Sequence, residues 1–478
     1  MKQYAKAITF WVLALALAPG IALGFNSGST GADGAFNPTV NTQLPLPPSG
    51  IFNFTSVNIP SGVTVTFQKN TTNTPVTILA SGNVTIVGTI SVRGTLSKNV
   101  GAAGDGNIGD DGVPGVGGPG GFDGGRGGLS GQQAGGAGLG PGGGLGGSTS
   151  QTPFCGFATV GGGGGGFGAS ADAPCFPSGA GAYGSSLLLP LIGGSGGGGG
   201  SGGTNFGGAG GGGGGGAILI AASDTVNVAG SILADGGSSG DTAGSGCGSP
   251  GGGGSGGGIR IVATTISGDG DIVARAGTTG GVSCPGVFGG TAGAVGRIRL
   301  ESESFTRTQP TTPPFTAGAP SSVFVAGFPT LTISSVAGVA APAAPTGNAD
   351  ITLPASTPNP VTVVFTTTGV PVGNTVRLTV TPASGGITSV ISPALTGSTA
   401  SATASVSVNL SPGPSVLSAT TTFTIVAALG DVLAPFAQGE RVEKITLVAI
   451  LGKPNKAILI TVSGKEFEVP AAVLASGG

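Results

Sequence analysis

Residues 75–94 recur along the chain, and this internal repeat constrains the fold more than any other feature. The first copy reads PVTILASGNVTIVGTISVRG, and the second, at 217–237, reads AILIAASDTVNVAGSILADGG. A third copy, at 259–277, lacks one residue between its halves, and a fourth begins at Ile298 and stops. Repeats spaced by tens of residues are typical of architectures in which equivalent units stack on one another.

Each copy contains three short pieces in which apolar and polar residues alternate. In the second copy these pieces begin at Ile218, Val226 and Ile232, and Gly230 separates the second piece from the third. Alternation with period two predicts strands with one apolar face, and such short strands bury that face only by stacking. The sequence therefore predicts an all-β fold containing a short parallel β-helix, or solenoid, over residues 51–305. An antiparallel sandwich with glycine-rich loops is the alternative.

Glycine dominates the segments between the copies, and the largest of these insertions is 95–216. The chain has 103 Gly and 34 Pro among 478 residues. Within the insertion, glycine recurs at every third position: Gly106, Gly109, Gly112, Gly115, Gly118, Gly121, Gly124 and Gly127. This period suits polyproline II helices packed side by side, since only glycine lets their backbones approach closely. The sequence nevertheless favours a loose low-complexity lobe for this insertion, with a packed polyproline II bundle as the alternative, while a collagen helix would need far more proline. The apolar run 187–192 is expected to pack against the solenoid.

The remaining chain divides by composition. Residues 25–50 form an extended N-terminal segment, and residues 306–345, rich in Pro, Ala and Thr, are predicted to be a linker with short strands at 323–324 and 331–333. Alternation returns in 346–478, which predicts an Ig-like β-sandwich without the Cys…Trp…Cys signature. Its charged C-terminal part is predicted to contain strands at 441–451, 457–462 and 467–469.

The N-terminus has the pattern of a secretory signal peptide covering residues 1–24. Lys2 and Lys6 precede an apolar run that is too short to span a bilayer, and small residues precede the expected cleavage site. We therefore expect export and no transmembrane anchor after cleavage. Four cysteines in an exported chain predict disulfides, and the simplest of the three pairings joins Cys155 to Cys175 and Cys247 to Cys284.

The sequence offers few residues for catalysis. It has no His, and among its acidic residues only Asp269 and Asp271 are closely paired, in a pattern that also suits a solvated turn. The candidates considered for acid–base or ion-pair chemistry are Asp110, Asp111, Asp123, Asp235, Asp241, Asp269, Asp271, Glu301, Arg93, Arg126, Arg260, Arg275, Arg297 and Arg299. We expect no catalytic site and no cofactor, although acidic residues in glycine-rich turns could hold calcium. The glycine runs lack the strand and helix context of nucleotide-binding loops.

The chain resembles secreted bacterial glycine-rich surface proteins in its signal peptide, in GGPGGFDGGRGG (117–128), in its GGGGGG runs and in the ends of its repeats. The resemblance implies an extracellular structural or adhesive role, at the cell surface or in the matrix. Surface glycans or other extracellular proteins are the expected partners, and a net charge of −2 argues against nucleic acid. A carbohydrate-active β-helix enzyme (polysaccharide lyase or hydrolase) and a binder of a repetitive glycan or ice surface are the alternatives. The second would need a regular outward ladder, and the outward positions Thr85, Asn227 and Ser267 are mixed in type.

Overall fold

The structure, a computed structural model, describes residues 24–98, 112–148, 159–171, 180–242, 248–281, 287–321, 323, 325, 327–342, 350–453 and 455–474. These residues are nearly all β, as predicted. The strands before residue 320 are β1 (Ala35–Phe36), β2 (Thr42–Pro45), β3 (Ile51–Phe54), β4 (Ser56–Ile59), β5 (Thr64–Gln68), β6 (Val76–Ala80), β7 (Val84–Ile86), β8 (Thr89–Ser91), β9 (Thr159–Val160), β10 (Ala217–Val228), β11 (Ser231–Leu233), β12 (Gly258–Ser267), β13 (Asp271–Val273), β14 (Val287–Phe288), β15 (Arg297–Phe305) and β16 (Thr316–Gly318).

Fourteen of these strands form two parallel sheets. The long sheet has the order β1-β4-β7-β10-β12-β15-β16, and β3 and β6 extend the ladder beside β10. The short sheet has the order β13-β11-β8-β5-β2. The second copy of the repeat thus contributes β10 to the long sheet and β11 to the short sheet. The first copy contributes β6 and β7 to the long sheet and β8 to the short one, and the third copy contributes β12 and β13 in the same way.

The strand register confirms the alignment of the repeats. Ile218 pairs with Val76 on one side and with Ile259 on the other. The pairing of β10 with β12 skips one residue between Ala222 and Thr225, where the third copy is one residue shorter. Inward side chains of both sheets form a single core in which Ile220, Ile261 and their equivalents are fully buried. Stacking therefore places equivalent apolar residues on top of one another, as the repeat requires.

A column of glycines forms the corner between the two sheets. Gly88, Gly230 and Gly270 lie at equivalent positions of three successive copies. A Cβ at Gly230 would overlap the carbonyl oxygen of Gly88, and one at Gly270 would overlap that of Gly230. None of the three has a positive φ. Glycine is needed at this corner because the backbones of successive copies touch there.

The glycine-rich insertions form an ordered array beside the sheets. Twelve extended segments lie side by side: 92–98, 112–119, 121–131, 133–139, 142–148, 160–168, 193–203, 207–216, 234–242, 248–257, 274–281 and 289–296. Neighbouring segments hydrogen-bond at every third residue, as where the N–H groups of Phe122, Gly125 and Gly128 donate to Gly194, Gly197 and Gly200. This spacing matches the three-residue turn of polyproline II helices, which make no internal hydrogen bonds.

Three segments at the centre of the array are each surrounded by six others. Segment 193–203 hydrogen-bonds to 121–131, 133–139, 142–148, 160–168, 207–216 and 248–257. Segments 207–216 and 248–257 likewise each have six hydrogen-bonded neighbours. The packing is hexagonal, and the six directions of bonding satisfy backbone groups that would otherwise be buried without partners.

Glycine is required in this array because the segments approach within backbone contact. A Cβ at Gly198 would overlap the carbonyl oxygen of Leu145, and one at Gly211 would overlap that of Gly197. Among the described residues the favoured loose lobe is therefore wrong, and the alternative, polyproline II segments packed side by side, describes the array. Three segments run directly into β10, β12 and β15, so the array continues the backbone of the long sheet.

The C-terminal part has two antiparallel sheets around one core. The strands are β17 (Thr330–Val336), β18 (Val339–Ala340), β19 (Val361–Thr368), β20 (Arg377–Pro382), β21 (Thr388–Ile391), β22 (Thr396–Ser398), β23 (Ser401–Val408), β24 (Ser415–Thr424), β25 (Val442–Ile450), β26 (Lys456–Thr461) and β27 (Glu466–Pro470). The sheet orders are β18-β17-β19-β23-β22 and β21-β20-β24-β25-β26-β27. Phe365 of the first sheet and Leu447 of the second belong to the same buried cluster.

The last three strands match the predicted positions. Between β24 and β25 lie a helix that the sequence analysis did not predict, α1 (Ala427–Leu433), and a 3-10 helix at Ala434–Ala437; α2 (Ala471–Leu474) follows β27. Three strands, β16, β17 and β18, lie in the segment predicted to be a linker, and β17 contains the strand predicted at 331–333. β16 pairs with β15 in the long parallel sheet, and β17 pairs with β19 in the C-terminal part.

The apolar run at 187–192 contacts two different cores. Leu191 packs against an outward cluster of the long sheet that contains Leu219 and Val262, in agreement with its predicted place. Leu189 instead lies in the C-terminal core, beside residues of both antiparallel sheets. This insertion therefore links the glycine-rich part to the C-terminal part.

Candidate functional site

The outward face of the long sheet has two halves with different chemistry. In the half formed by β6 and the first parts of β10 and β12, Leu79, Leu219 and Val262 point outward. The chain covers this half itself, with Val323, Phe25 and Leu191 packed on it. The covered half is therefore part of the interior.

The other half, formed by β4, β7 and the later parts of β10, β12 and β15, is open and polar. Its outward side chains fall into two columns that run across the strands, and we call them together the polar ladder. The columns are Ser56, Asn83, Thr225, Thr265, Ser304 and Asn37, Asn58, Thr85, Asn227, Ser267, Thr306. At the centre of the ladder, Thr85 pairs in register with Asn58 and Asn227, and Thr265 pairs with Thr225 and Ser304. On β1 the shorter column ends at the exposed Ala35, which pairs with Ser56. The alternation of β7 that buries Val84 and Ile86 also places Thr85 outward.

The polar ladder is flat, regular and uncharged. All eleven side chains are Ser, Thr or Asn, and each is exposed or half-buried. Neighbouring strands lie about 4.8 Å apart, so the longer column extends over about 24 Å. Some members are already hydrogen-bonded: the Asn58 amide donates to Asn37 Oδ1 at 2.9 Å, and Thr225 N–H donates to Asn83 Oδ1 at 3.1 Å. These bonds hold the side chains in a regular array of donors and acceptors.

A buried ion cluster fastens the covering segment next to the ladder. Arg260 donates through Nε and Nη2 to the two carboxylate oxygens of Glu301, each at 3.1 Å, and Arg299 Nε donates to Oε1 at 2.7 Å. Ser321 donates its backbone N–H and its hydroxyl to Oε2. Burial raises the pKa of Glu301, but the bonds from Arg260, Ser321 and Arg299 outweigh it and hold the pKa below its ordinary value.

The closely paired acids Asp269 and Asp271 lie at the corner after β12. The Asp269 carboxylate accepts hydrogen bonds from the N–H groups of Gln309 and Thr308, at 2.9 and 2.7 Å, and these bonds lower its pKa. Beside it, Arg307 donates to the carbonyl oxygens of Gly268 and Gly270. Asp269 thus caps a loop, and its lowered pKa suits a fixed anion rather than a general acid.

The remaining acidic candidates bind separate backbone and basic groups. Asp123 accepts from Gly117 N–H, Asp235 forms an ion pair with Arg93 at 2.8 Å, and Asp241 accepts from Gly281 N–H. Among the described residues, no group of three or more His, Cys, Asp or Glu side chains comes together as a metal site would require. Arg297 lies over the Phe167 ring, 5.7 Å from its centroid, and donates through Nη2 to the carbonyl oxygen of Tyr183 at 3.2 Å.

Six of the predicted site residues lie outside the described residues: the four disulfide candidates Cys155, Cys175, Cys247 and Cys284, together with Asp110 and Asp111. The same holds for residues 1–23 of the predicted signal peptide. Residues that follow it are packed: Ser27 is buried and donates its hydroxyl to Ala80 O at 2.7 Å.

Three ladder residues were identified as outward positions from the sequence, and the other eight were not. Thr85, Asn227 and Ser267 were judged too mixed, yet Asn227 pairs with both of the others and they form one column. Asn58 pairs with Thr85 from a strand outside the recognised copies. The sequence did contain a signal for the ladder. The outward residue at these positions differs from copy to copy, but in every copy it is a short polar residue, Ser, Thr or Asn.

No helix in the described part of the chain is long and apolar enough to cross a membrane. The chain matches no known family model, and no curated protein or solved structure is significantly similar to it.

Proposed function

We propose that this protein is a secreted structural or adhesive component of the cell surface or extracellular matrix, without catalytic activity. The polar ladder is the observation that carries the proposal. It presents aligned donors and acceptors on a sheet whose backbone is continuous with a hexagonal glycine array. A surface of this kind suits an extended partner that makes many similar contacts, because every residue of the ladder is a Ser, Thr or Asn.

The proposal includes the finer architecture. The two parallel sheets, which share one core and alternate along the chain, support a short parallel β-helix whose turns are completed by the glycine array. The two antiparallel sheets around one core support an Ig-like β-sandwich for residues 346–478, with β17 supplied from the preceding segment. Cys155–Cys175 and Cys247–Cys284 remain the proposed disulfides.

Two alternatives concern carbohydrates. A binder of a repetitive glycan surface is favoured by the ladder itself and is compatible with adhesion. A polysaccharide lyase or hydrolase would need an acid–base pair or a metal-binding group of carboxylates on one face. The acids Asp123, Asp235 and Asp269 instead serve as caps and ion pairs at separate places, which supports the non-enzymatic proposal.

Location is the decisive test of the proposal. A tagged full-length chain would be expressed and followed by fractionation, thiol labelling and protease treatment of intact cells. We expect the protein at the surface or in the medium, accessible to protease, with its cysteines blocked to labelling. Retention in the cytoplasm with four reactive thiols would refute the proposal.

A further inference from the structure

We propose that the polar ladder binds a neutral, linear polysaccharide that lies across the strands, with successive sugars above successive turns of the repeat. This inference rests on the proposed adhesive function and names the ligand class of the same face.

The chemistry of the ladder matches sugar hydroxyls. Ser and Thr hydroxyls and Asn amides each donate and accept hydrogen bonds, as sugar hydroxyls do, so either partner can supply the proton. None of the eleven side chains is charged. The acids beside the ladder along the chain are Asp224 next to Thr225, Glu303 next to Ser304 and Asp269 near Ser267, all of them exposed carboxylates that would repel an anionic polymer. The one adjacent cation among the described residues, Arg307 next to Thr306, donates to the carbonyl oxygens of Gly268 and Gly270.

The spacing of the ladder matches a polymer with a short repeat. Strands spaced about 4.8 Å apart present a hydroxyl or amide once per turn, and this distance is close to the length of one sugar in an extended chain. The members of the two columns lie two residues apart along a strand, so the columns run side by side. Together they have about the width of a single polysaccharide chain. The strip is flat, since its side chains are short, and a flat strip accepts the middle of a long chain rather than its end.

The divided face of the sheet explains why this half is the open one. The apolar half is covered by Val323, Phe25 and Leu191 of the same chain, which leaves water no access to it. The covering segment is held by Ser321 at the buried carboxylate of Glu301. The polar ladder thus begins where the covering residues end. Its side chains are exposed or half-buried, so their free donors and acceptors can form hydrogen bonds with an external partner.

The number of contacts determines the affinity. Each turn of the repeat contributes a weak contact, because hydrogen bonds to the ladder replace bonds to water. Affinity should therefore increase with the length of the oligosaccharide until the longer column, which crosses six strands, is filled. Charge plays no part in these contacts, so binding should be insensitive to salt.

The first turn of the repeat offers a matched pair of variants. Thr85 on β7 and Thr89 on β8 are both half-buried threonines that point outward, but from opposite sheets. Thr85→Arg places a long charged side chain at the centre of the ladder. Thr89→Arg places the same side chain on the other face and serves as the control.

The experiment is affinity electrophoresis of the full-length protein in gels that contain neutral linear glucans, mannans or xylans, with a polyuronate as the anionic probe. Circular dichroism and Tm first show that both variants are folded. We expect retardation by at least one neutral polymer, a loss of apparent affinity of ten-fold or more for Thr85→Arg, and no change for Thr89→Arg.

Three results would overturn the inference: retardation by none of the neutral polymers, equal behaviour of the two variants, or preference for the polyuronate. If the protein is nevertheless exposed at the cell surface, the ligand is wrong and the proposed function stands. If it is cytoplasmic, the proposed function fails independently of the gel result.

Discussion

Glu301 shows how a single buried charge can organise the outside of a sheet. Its carboxylate and the Arg260 guanidinium are both almost fully buried, and removing one partner of a buried ion pair typically costs about 3–5 kcal/mol. The two arginines and Ser321 surround the carboxylate, so it ties β12, β15 and the covering segment together. A polar cluster thus fixes the boundary between the covered and open halves of the sheet.

We predict that Glu301→Gln lowers the free energy of unfolding at pH 7 by about 3 kcal/mol or more, because Arg260 loses its charged partner. The pKa of Glu301 is lowered in the folded state, so its contribution is complete above the unfolded pKa and is lost as the pH falls through the folded value. The difference between wild type and variant should therefore shrink in acid. Urea unfolding at several pH values measures it.

Glu303→Gln is the control for this prediction, since Glu303 lies on the same strand and is exposed. It should change stability by less than about 0.5 kcal/mol. Equal stability of wild type and Glu301→Gln at pH 7 would contradict the assigned role of the cluster.

At the scale of the element, glycine determines which extended segments can pack against one another in the array. Elsewhere in proteins glycine weakens regular structure, because it costs about 0.5–1 kcal/mol more to order than alanine. In the array this cost is offset by hydrogen bonds in six directions around segments such as 193–203. The bonds form because no Cβ separates the backbones.

We predict that Gly198→Ala, in the central segment, destabilises the protein by about 3 kcal/mol or more, since the new methyl group would overlap the Leu145 carbonyl and neither backbone has room to move. Gly181→Ala is the matched control, because a Cβ there meets nothing within 4 Å. Chemical denaturation of both variants measures the effect. Equal stability of the two would mean that the array is loosely packed in solution.

The corner glycines show how far the repeat could be interpreted from sequence alone. Their positions and their role at a corner were predictable from Gly88, Gly230 and Gly270 in three aligned copies. Their physical reason was not, because it depends on the carbonyl oxygen of the preceding turn, which a single copy does not contain. The polar ladder was overlooked for a similar reason, since five of its eleven residues lie outside the three full copies of the repeat.

At the scale of the whole molecule, the described residues contain two large and separate cores. One contains Ile220 and lies between the parallel sheets, and the other contains Leu447 and lies between the antiparallel sheets. The two clusters share no buried residue. Leu189, which belongs to the insertion but packs in the C-terminal core, is a contact between the two parts.

We predict that the protein unfolds in two calorimetric transitions, because separate cores unfold as separate cooperative units. Gly198→Ala should lower the Tm of one transition. Leu447→Ala should lower the Tm of the other, since truncating a buried leucine costs about 2–5 kcal/mol. A single transition that both variants shift equally would show that the two parts fold as one unit.

The sequence by itself determined the repeat, its strands and the register of the copies, because alternation is a local pattern with direct steric meaning, whereas the period of three glycines left a packed array and a loose lobe both open. The tertiary structure alone decided which outward residues line up, which half of the sheet the chain covers, and that Glu301 is buried beneath Ser321. These features depend on contacts between residues that are distant along the chain, such as Arg260 with Glu301 or Asn58 with Thr85, and no local pattern contains them.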